Sequence, residues 1–279
     1  MSFSKAKRLL LGLGAVSGVV TICYLKKERN TVHAAWTTNY TPSAFAKWDD
    51  NWDHRSPHSI TKPHKKLSNK EENKINEEKE LSIPKACRHL ILIRHGQYNL
   101  NAQKDEDRCL TKLGRLQAEY TGKRLKELNF PYTNIVKSTM CRASETGSII
   151  SEFIPNVPVS NCDLLREGAP VPPEPPIGGW KPENYKYYQD GSRIEAAFRK
   201  YFHRAEPSQE NDSYTLLVCH ANVIRYFTCR ALQFPAEAWL RLSLYNGSIT
   251  WISITPSGRC ILRVLGDTGH MPPDVITST

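Results

Sequence analysis

The sequence predicts an α/β fold, in which a mostly parallel sheet is flanked by helices on both faces. Two observations predict it. Apolar strand-like runs alternate with amphipathic segments from about residue 87 to the C-terminus, and such alternation is typical of a parallel sheet covered by helices. Polar residues also follow directly after several of these runs, which is where parallel sheets build their sites.

Each element follows from its own pattern. We expect strands at 89–93, 134–137 and 213–219, in an extended stretch before Leu164, and in a closing hairpin of 250–254 and 260–265. We expect helices at 112–128, 142–153, about 193–203 and 222–232. Thr111 is the expected N-cap of the first helix, because a threonine hydroxyl accepts a hydrogen bond from the first helical turn.

The composition limits the class of protein. A chain of 279 residues with 39% hydrophobic content can bury one sizeable core and carry an extra segment. The net charge is +10, but residues 1–87 hold 15 basic against 9 acidic side chains, or +6, and the rest holds 23 against 19, or +4. Nucleic-acid-binding domains concentrate positive charge on the folded part. We therefore expect no nucleic-acid partner, and a membrane or targeting role for the N-terminal portion.

The cysteines form no metal-binding or disulfide pattern. Eight are scattered along the chain without a Cys-x-x-Cys pair, and several lie in apolar segments. Such cysteines behave as small hydrophobic residues. We expect reduced thiols in the core.

A membrane anchor is predicted in residues 1–30. The stretch from Leu9 to Leu25 is almost entirely apolar, and lysine and arginine flank it on both sides. Its length is at the short end for a single transmembrane helix. The basic residues after the run argue against a secretory signal peptide.

A linker is predicted at residues 31–86, because it lacks sustained apolar periodicity and is rich in charge. Two tryptophans within it stand out, since large aromatic residues are typical anchors of interfaces. We expect a self-association motif whose residues are Trp48, Asp49, Asn51, Trp52 and Asp53. The alternative is that this segment folds back on the catalytic domain, predicted at residues 87–279.

Candidate catalytic residues follow directly after the ends of the predicted strands. Arg94-His95-Gly96 follows the first strand, Ser138 to Arg142 the next, and Cys219-His220-Ala221 the strand at 213–219. A neutral imidazole can attack phosphorus, and arginine binds phosphate oxygens through charge-assisted hydrogen bonds. Glycine after the nucleophile allows the backbone to approach an anion. Glu167, in Leu164-Leu165-Arg166-Glu167-Gly168, is a candidate proton donor.

This ordered set resembles the histidine phosphatase superfamily, in its phosphoglycerate-mutase-like branch, over roughly Cys87 to the C-terminus. The resemblance implies a phosphohistidine intermediate on His95, with Glu167 as the acid for the leaving group. It implies that the catalytic residues are His95, Glu167, His220, Arg94 and Arg142. The implied phosphate-binding residues are Arg94, Arg142, His220, Ala221 and Asn101. No metal and no cofactor is expected, because the arginines take the place of a divalent cation.

A closer resemblance, over nearly the whole length, is to the mitochondrial serine/threonine protein phosphatases of this branch. It is carried by the tryptophan motif and by segments 164–170, 191–199 and 266–274. It implies phosphoprotein substrates, with phosphoserine and phosphothreonine first and phosphohistidine as a further class. It also implies a single-pass location in the outer or inner mitochondrial membrane, and a homo-oligomer, dimer or higher.

Two other functions stay open. Mutases of the family tend to have glutamate and then serine or threonine after the Arg-His-Gly motif, whereas this chain has Gln97 and Tyr98. That difference disfavours a phosphoglycerate substrate, but a small-molecule phosphomonoesterase or mutase is the first alternative. The second is a mitochondrial scaffold whose catalysis is incidental.

Overall fold

Six strands form one mixed sheet in the order β3-β2-β4-β1-β5-β6. Their bounds are β1 Arg88–Arg94, β2 Tyr132–Ser138, β3 Val159–Cys162, β4 Ser213–Cys219, β5 Ile249–Ile254 and β6 Cys260–Asp267. The computed structural model describes residues 47–57, 80–177 and 182–278. The predicted anchor and most of the linker lie outside them. No helix within the described ranges has the length and apolarity needed to cross a membrane.

The first four strands are parallel, and β5 and β6 are antiparallel. The predicted α/β fold is therefore confirmed, with a mixed sheet. The antiparallel pair is the expected closing hairpin, and it is possible because a short turn can join antiparallel strands but not parallel ones.

Four α-helices cover both faces of the sheet. Their bounds are α1 Lys112–Leu128, α2 Cys141–Phe153, α3 Asn184–Tyr201 and α4 Ala221–Ala231. Leu90 and Leu92 of β1 face a core shared with α3 and α4. Ile91 and Ile93 face a second core shared with α1 and α2. Burial on both faces explains why this strand is continuously aliphatic.

The helix ends match the sequence expectations except in α3. Thr111 is the N-cap of α1, where its side chain accepts the Gly114 N–H at 3.0 Å. Helix α3 begins at Asn184, nine residues before the predicted start. Its first turns carry exposed Tyr185 and Tyr188, so that part has no apolar face to detect.

The tryptophan motif lies against the catalytic domain of its own chain. Trp48 and Trp52 pack against the core beneath α3 and α4. The Trp52 indole donates to the Gly258 carbonyl at 2.8 Å, and its ring lies 6.0 Å from that of Phe198. Asp53 forms an almost fully buried ion pair with Arg204. These contacts are those of the fold-back alternative, and self-association stays a prediction.

Candidate active site

The site lies at the carboxyl edge of the parallel strands. His95 follows β1, and His220 follows β4, which is paired in register with β1 through Arg94 and Cys219. The two imidazole rings are therefore neighbours, with centroids 5.1 Å apart. Arg142 is the second residue of α2, the helix that follows β2. The topology thus brings residues from distant parts of the chain to one place.

His95 has a defined tautomer. Its Nδ1 lies 2.8 Å from the Gly96 carbonyl, which can only accept, so Nδ1 carries the proton. Its Nε2 accepts from Nε of Arg142 at 3.3 Å, so Nε2 holds a lone pair. Burial, and then the charges of Arg142 and Arg94, lower the pKa of His95 well below its usual value. The imidazole is neutral, as a nucleophile must be.

His220 is fully buried beside His95. Its Nε2 pairs with the Ser138 hydroxyl at 2.8 Å, while Nδ1 has no hydrogen-bond partner among the described residues. Burial lowers the pKa of His220 well below its usual value, and the neighbouring His95 and Arg142 lower it further. His220 is therefore neutral in the free site, where it can act through hydrogen bonds rather than through a positive charge.

Arg142 contacts three different groups besides His95. Its guanidinium lies over the Tyr98 ring, 4.6 Å from the centroid. Its Nη1 lies 3.5 Å from the Asp105 carboxylate, and its Nη2 lies 3.7 Å from the Met140 sulfur. Only 3% of the residue is exposed, so its charge acts in a poorly hydrated site, where electrostatic interactions are strong.

The Arg94 guanidinium is fixed by hydrogen bonds to two backbone carbonyls. Its Nη1 donates to the carbonyls of Leu244 and Ser278 at 2.6 and 2.9 Å. Burial lowers the pKa of Arg94 to about 10, and the nearby Arg225 charge adds to the effect. The Nε atoms of Arg94 and Arg225 are buried without a partner among the described residues. Buried hydrogen-bond donors normally have an acceptor. These two N–H groups without an acceptor therefore indicate a binding site for an anion.

Glu167 lies beside the first turn of α4. Its carboxylate accepts the Gly168 N–H at 3.2 Å and the Asn222 N–H at 3.4 Å. Loss of hydration raises the pKa of Glu167, despite these donors and the Arg142 charge, which lower it. Arg166 pairs with Asp105 at 3.8 Å and with Thr139 at 3.2 Å rather than with the Glu167 carboxylate.

Three predicted positions have a different or open role. Gly96 is required by packing, because a Cβ there would overlap the carbonyl of Gly114 in α1, and its N–H donates to Thr146 at 3.1 Å. Asn101 is exposed, and its N–H donates to the Asn99 side chain at 3.2 Å. Ala221 begins α4 and is buried beside His220. Phosphate binding by Asn101 and Ala221 stays a prediction.

Sequence reasoning missed three charged residues around the site. Arg225 of α4 interacts electrostatically with Arg94 and Glu167. Asp105 accepts from Arg142, and Arg193 of α3 donates to the carbonyl of Glu167. Arg225 follows His220 by five positions, which places it in the second turn of α4. That spacing from His220 is the sequence feature that could have indicated Arg225.

The chain matches a known protein family over most of its length. The pattern described as "Histidine phosphatase superfamily (branch 1)" matches residues 90–170 and 174–268. The chain belongs to the histidine phosphatase superfamily. The resemblance predicted from the sequence is therefore confirmed at the level of the family.

Curated members of this superfamily resemble the chain along nearly its full length. The "Serine/threonine-protein phosphatase Pgam5, mitochondrial" of Drosophila yakuba is 50% identical over 277 residues, which cover 98% of this chain and 96% of the relative. The protein of the same name in Drosophila pseudoobscura pseudoobscura is 52% identical over 270 residues, or 95% and 93% of the two chains. The closer resemblance is thereby confirmed as well.

A solved structure shares the fold. Bacillus stearothermophilus YhfR matches with a TM-score of 0.52 at 22% identity, over 66% of this chain and 98% of that protein. At this identity the likeness concerns the fold of the histidine phosphatase domain alone.

Proposed function

We propose that this chain is a mitochondrial protein phosphatase that hydrolyses phosphoserine and phosphothreonine, and as a further class phosphohistidine, through a phosphohistidine on His95. The observation that carries the proposal is the tautomer of His95, whose lone pair on Nε2 points at Arg142 rather than at a carbonyl. The names of the relatives that match over nearly the whole chain support the substrate class.

In the first step, Nε2 of His95 attacks phosphorus and the bond to the serine or threonine oxygen breaks. Arg142 and Arg94 bind the phosphate oxygens and stabilise the charge that develops on them. Glu167, whose pKa is raised, gives its proton to the leaving oxygen.

In the second step, Glu167 takes a proton from water as the water attacks phosphorus. The P–N bond breaks, and its electron pair returns to Nε2 of His95. We assign the proton of His220 to Nδ1, because Nε2 pairs with the Ser138 hydroxyl, which can donate to it, while Nδ1 has no partner among the described residues. Nδ1–H is then free to bind a phosphate oxygen in both steps.

Tyr98 favours a protein substrate over a small acid. Its ring lies edge-on to His95, with centroids 5.2 Å apart, and beneath the Arg142 guanidinium. It occupies the position where small-molecule mutases tend to carry a small hydroxyl residue, so a bulky aromatic ring replaces a small side chain in the site wall.

His95→Ala, with His89→Ala as its control, tests the proposed nucleophile. Both histidines are buried near β1, but His89 pairs with Ser253 at 2.8 Å, away from the site. With a phosphoserine peptide, His95→Ala should lose at least about 10²–10³-fold in rate, and His89→Ala should keep its rate. Wild-type turnover of 3-phosphoglycerate in place of the peptide would favour the small-molecule alternative.

We also propose that this chain crosses a mitochondrial membrane once and assembles into a homo-oligomer. The apolar run from Leu9 to Leu25 supports the anchor. The fit of Trp52 beside Phe198, and of Asp53 on Arg204, supports the assembly. The same contacts can form between chains when neighbours exchange the motif, which is a low-cost route to an oligomer. Alkaline carbonate should leave the full-length protein in the membrane pellet; its release would refute the anchor.

A further inference from the structure

We propose that Cys109 and Cys141 are a peroxide-sensitive thiol pair, and that their disulfide holds Asp105 on Arg142 and slows the phosphatase. Their sulfur atoms lie 3.0 Å apart, and both residues are half-buried. A disulfide bond of about 2.05 Å therefore needs an approach of only about 1 Å. No sequence pattern indicates this pair, because 31 residues separate the two cysteines.

The two thiols lie on the two segments that meet at the catalytic arginine. Cys141 is the first residue of α2 and directly precedes Arg142. Cys109 ends the segment after β1 that carries Asp105. The Asp105 carboxylate lies 3.5 Å from Arg142 and accepts the Cys141 N–H at 3.4 Å. A disulfide would join these segments next to that contact.

Asp105 competes with the phosphate for Arg142. Both are anions, and a guanidinium engaged by a carboxylate is less available to phosphate oxygens. The Asp105 side chain is 30% exposed, and its contacts with Arg142 and Arg166 are long, at 3.5 and 3.8 Å. In the thiol form the segment can withdraw when a substrate binds. The Leu110 N–H already holds the base of the segment to Glu145 at 2.8 Å, and the disulfide adds a covalent tether.

The chemistry balances with a peroxide as the oxidant. Cys109 reacts first, because burial and the neighbouring Cys109 thiol raise the pKa of Cys141 and keep it protonated. The Cys109 sulfur attacks the O–O bond, giving a sulfenic acid and one water. The Cys141 sulfur then attacks the sulfenic sulfur, and hydroxide leaves with the thiol proton as a second water. The two thiols supply the two electrons that reduce the peroxide.

A metal ion is the competing occupant. Ligand atoms of Cys109, Cys141 and Glu145 lie within 4.8 Å of one another. However, both Glu145 oxygens are in use, one by Arg115 at 2.7 Å and one by the Leu110 N–H at 2.8 Å. The described residues offer no fourth ligand in this group, whereas structural zinc sites almost always have four. Oxidation is therefore the better supported chemistry.

The test uses the full-length protein, reduced and kept with a chelator. Hydrogen peroxide is added, the Cys109–Cys141 crosslink is followed by peptide mass spectrometry, and kcat/KM is measured with a phosphoserine peptide. We expect the crosslinked protein to lose about tenfold, less than the 10²–10³-fold for removing a donor outright. Dithiothreitol should restore the rate, which separates the disulfide from a Met140 sulfoxide that a thiol does not reverse.

Three variants sharpen the result. Cys109→Ser should resist peroxide, and Cys87→Ser, another half-buried cysteine, should respond like the wild type. Asp105→Asn should form the disulfide but lose much less activity, because its neutral side chain competes poorly with phosphate. Complete crosslinking at unchanged kcat/KM, or equal inhibition of Cys109→Ser, would overturn the inference. So would inhibition by zinc ions alone that a chelator reverses.

The inference rests on the proposed role of Arg142 at the phosphate, and the two can fail separately. Failure of the proposed function is seen before peroxide is added, as equal activity of the reduced wild type and His95→Ala. Failure of the thiol switch is seen with an active reduced wild type, for example when its crosslinked form is equally active.

Discussion

At the scale of single residues, burial shifts two histidines and one carboxyl of the site toward their neutral forms. Burial lowers the pKa of His95 and His220, and raises the pKa of Glu167. Each group is thereby moved toward the form that the first step uses. The sequence identified these residue types, but their protonation follows from burial and from neighbours that are distant in the chain.

Glu167→Gln should separate substrates by their leaving groups. A serine alkoxide needs a proton as it leaves, whereas nitrophenolate does not. We expect the rate with a phosphoserine peptide to fall by about 10²–10⁴-fold, the usual contribution of general acid catalysis. The first displacement on p-nitrophenyl phosphate, read as the burst of nitrophenolate, should change far less. An equal loss for both substrates would show that Glu167 acts in some other way.

The buried histidines should make folding sensitive to mild acid. Because the folded-state pKa of His220 lies below 6.5, the unfolded chain binds the proton first as pH falls. Stability is therefore complete above about pH 6.5 and is lost as pH falls below that value. The Tm measured between about pH 7 and pH 5 should fall less steeply in His220→Asn than in the wild type.

Four other histidines shift in the same direction, so the variant removes only part of the slope; they are His89, His95, His203 and His270. His54, which is exposed, provides the control His54→Asn. Identical slopes in His220→Asn and the wild type would contradict the assignment of a buried neutral His220.

At the scale of elements, the sequence predicted most of the fold because β1 and α1 carry their own periodicity and caps. It missed the beginning of α3, where the residues are polar and exposed. It also missed the function of that helix. Arg193 projects from α3 and donates to the carbonyls of Leu164 and Glu167 at 3.1 and 3.0 Å, and to that of Arg166. These contacts depend on tertiary packing and leave no local pattern.

Arg193→Gln should therefore act through Glu167 as a positioning change. Losing the bonds to three carbonyls frees the segment that carries the acid, and a displacement of about 1 Å can cost 10²-fold in rate. We expect a loss with the phosphoserine peptide that exceeds the loss in the nitrophenolate burst, as for Glu167→Gln. Arg199→Gln on the same helix is the control, because its side chain is exposed and bonds only Glu195 within α3. Equal losses on both substrates would reduce Arg193 to a structural role.

At the scale of the whole molecule, the family and its catalytic edge were predictable, but the use of the N-terminal portion was not. Strand order and spacing are enough to bring His95 beside His220. By contrast, a motif joined through residues 58–79 can reach either its own domain or a neighbour's, and the sequence of the motif is the same in both cases. The same holds for Cys109 and Cys141, whose proximity arises only from the packing of a loop on α2.

Trp48→Ala combined with Trp52→Ala should lower both assembly and turnover. Trp52 packs against Phe198 of α3, the helix that also carries Arg193, so loss of the motif loosens the helix that positions Glu167. Light scattering should give a smaller mass for the double variant than for the wild type. Its kcat with the phosphoserine peptide should also be lower. Trp36→Ala, outside the motif, is the control. Unchanged mass and turnover in the double variant would leave the motif as an inert part of the linker.

The most direct test of the central claim is the covalent state of His95 during turnover. The enzyme is mixed with p-nitrophenyl phosphate, quenched under alkaline conditions and digested for mass spectrometry. We predict an acid-labile phosphate on His95 that is absent from His95→Ala. It should accumulate in Glu167→Gln, because that variant forms the intermediate but lacks the base that activates water. An acid-stable phosphate on another residue, or an unphosphorylated His95 in an active enzyme, would contradict the account.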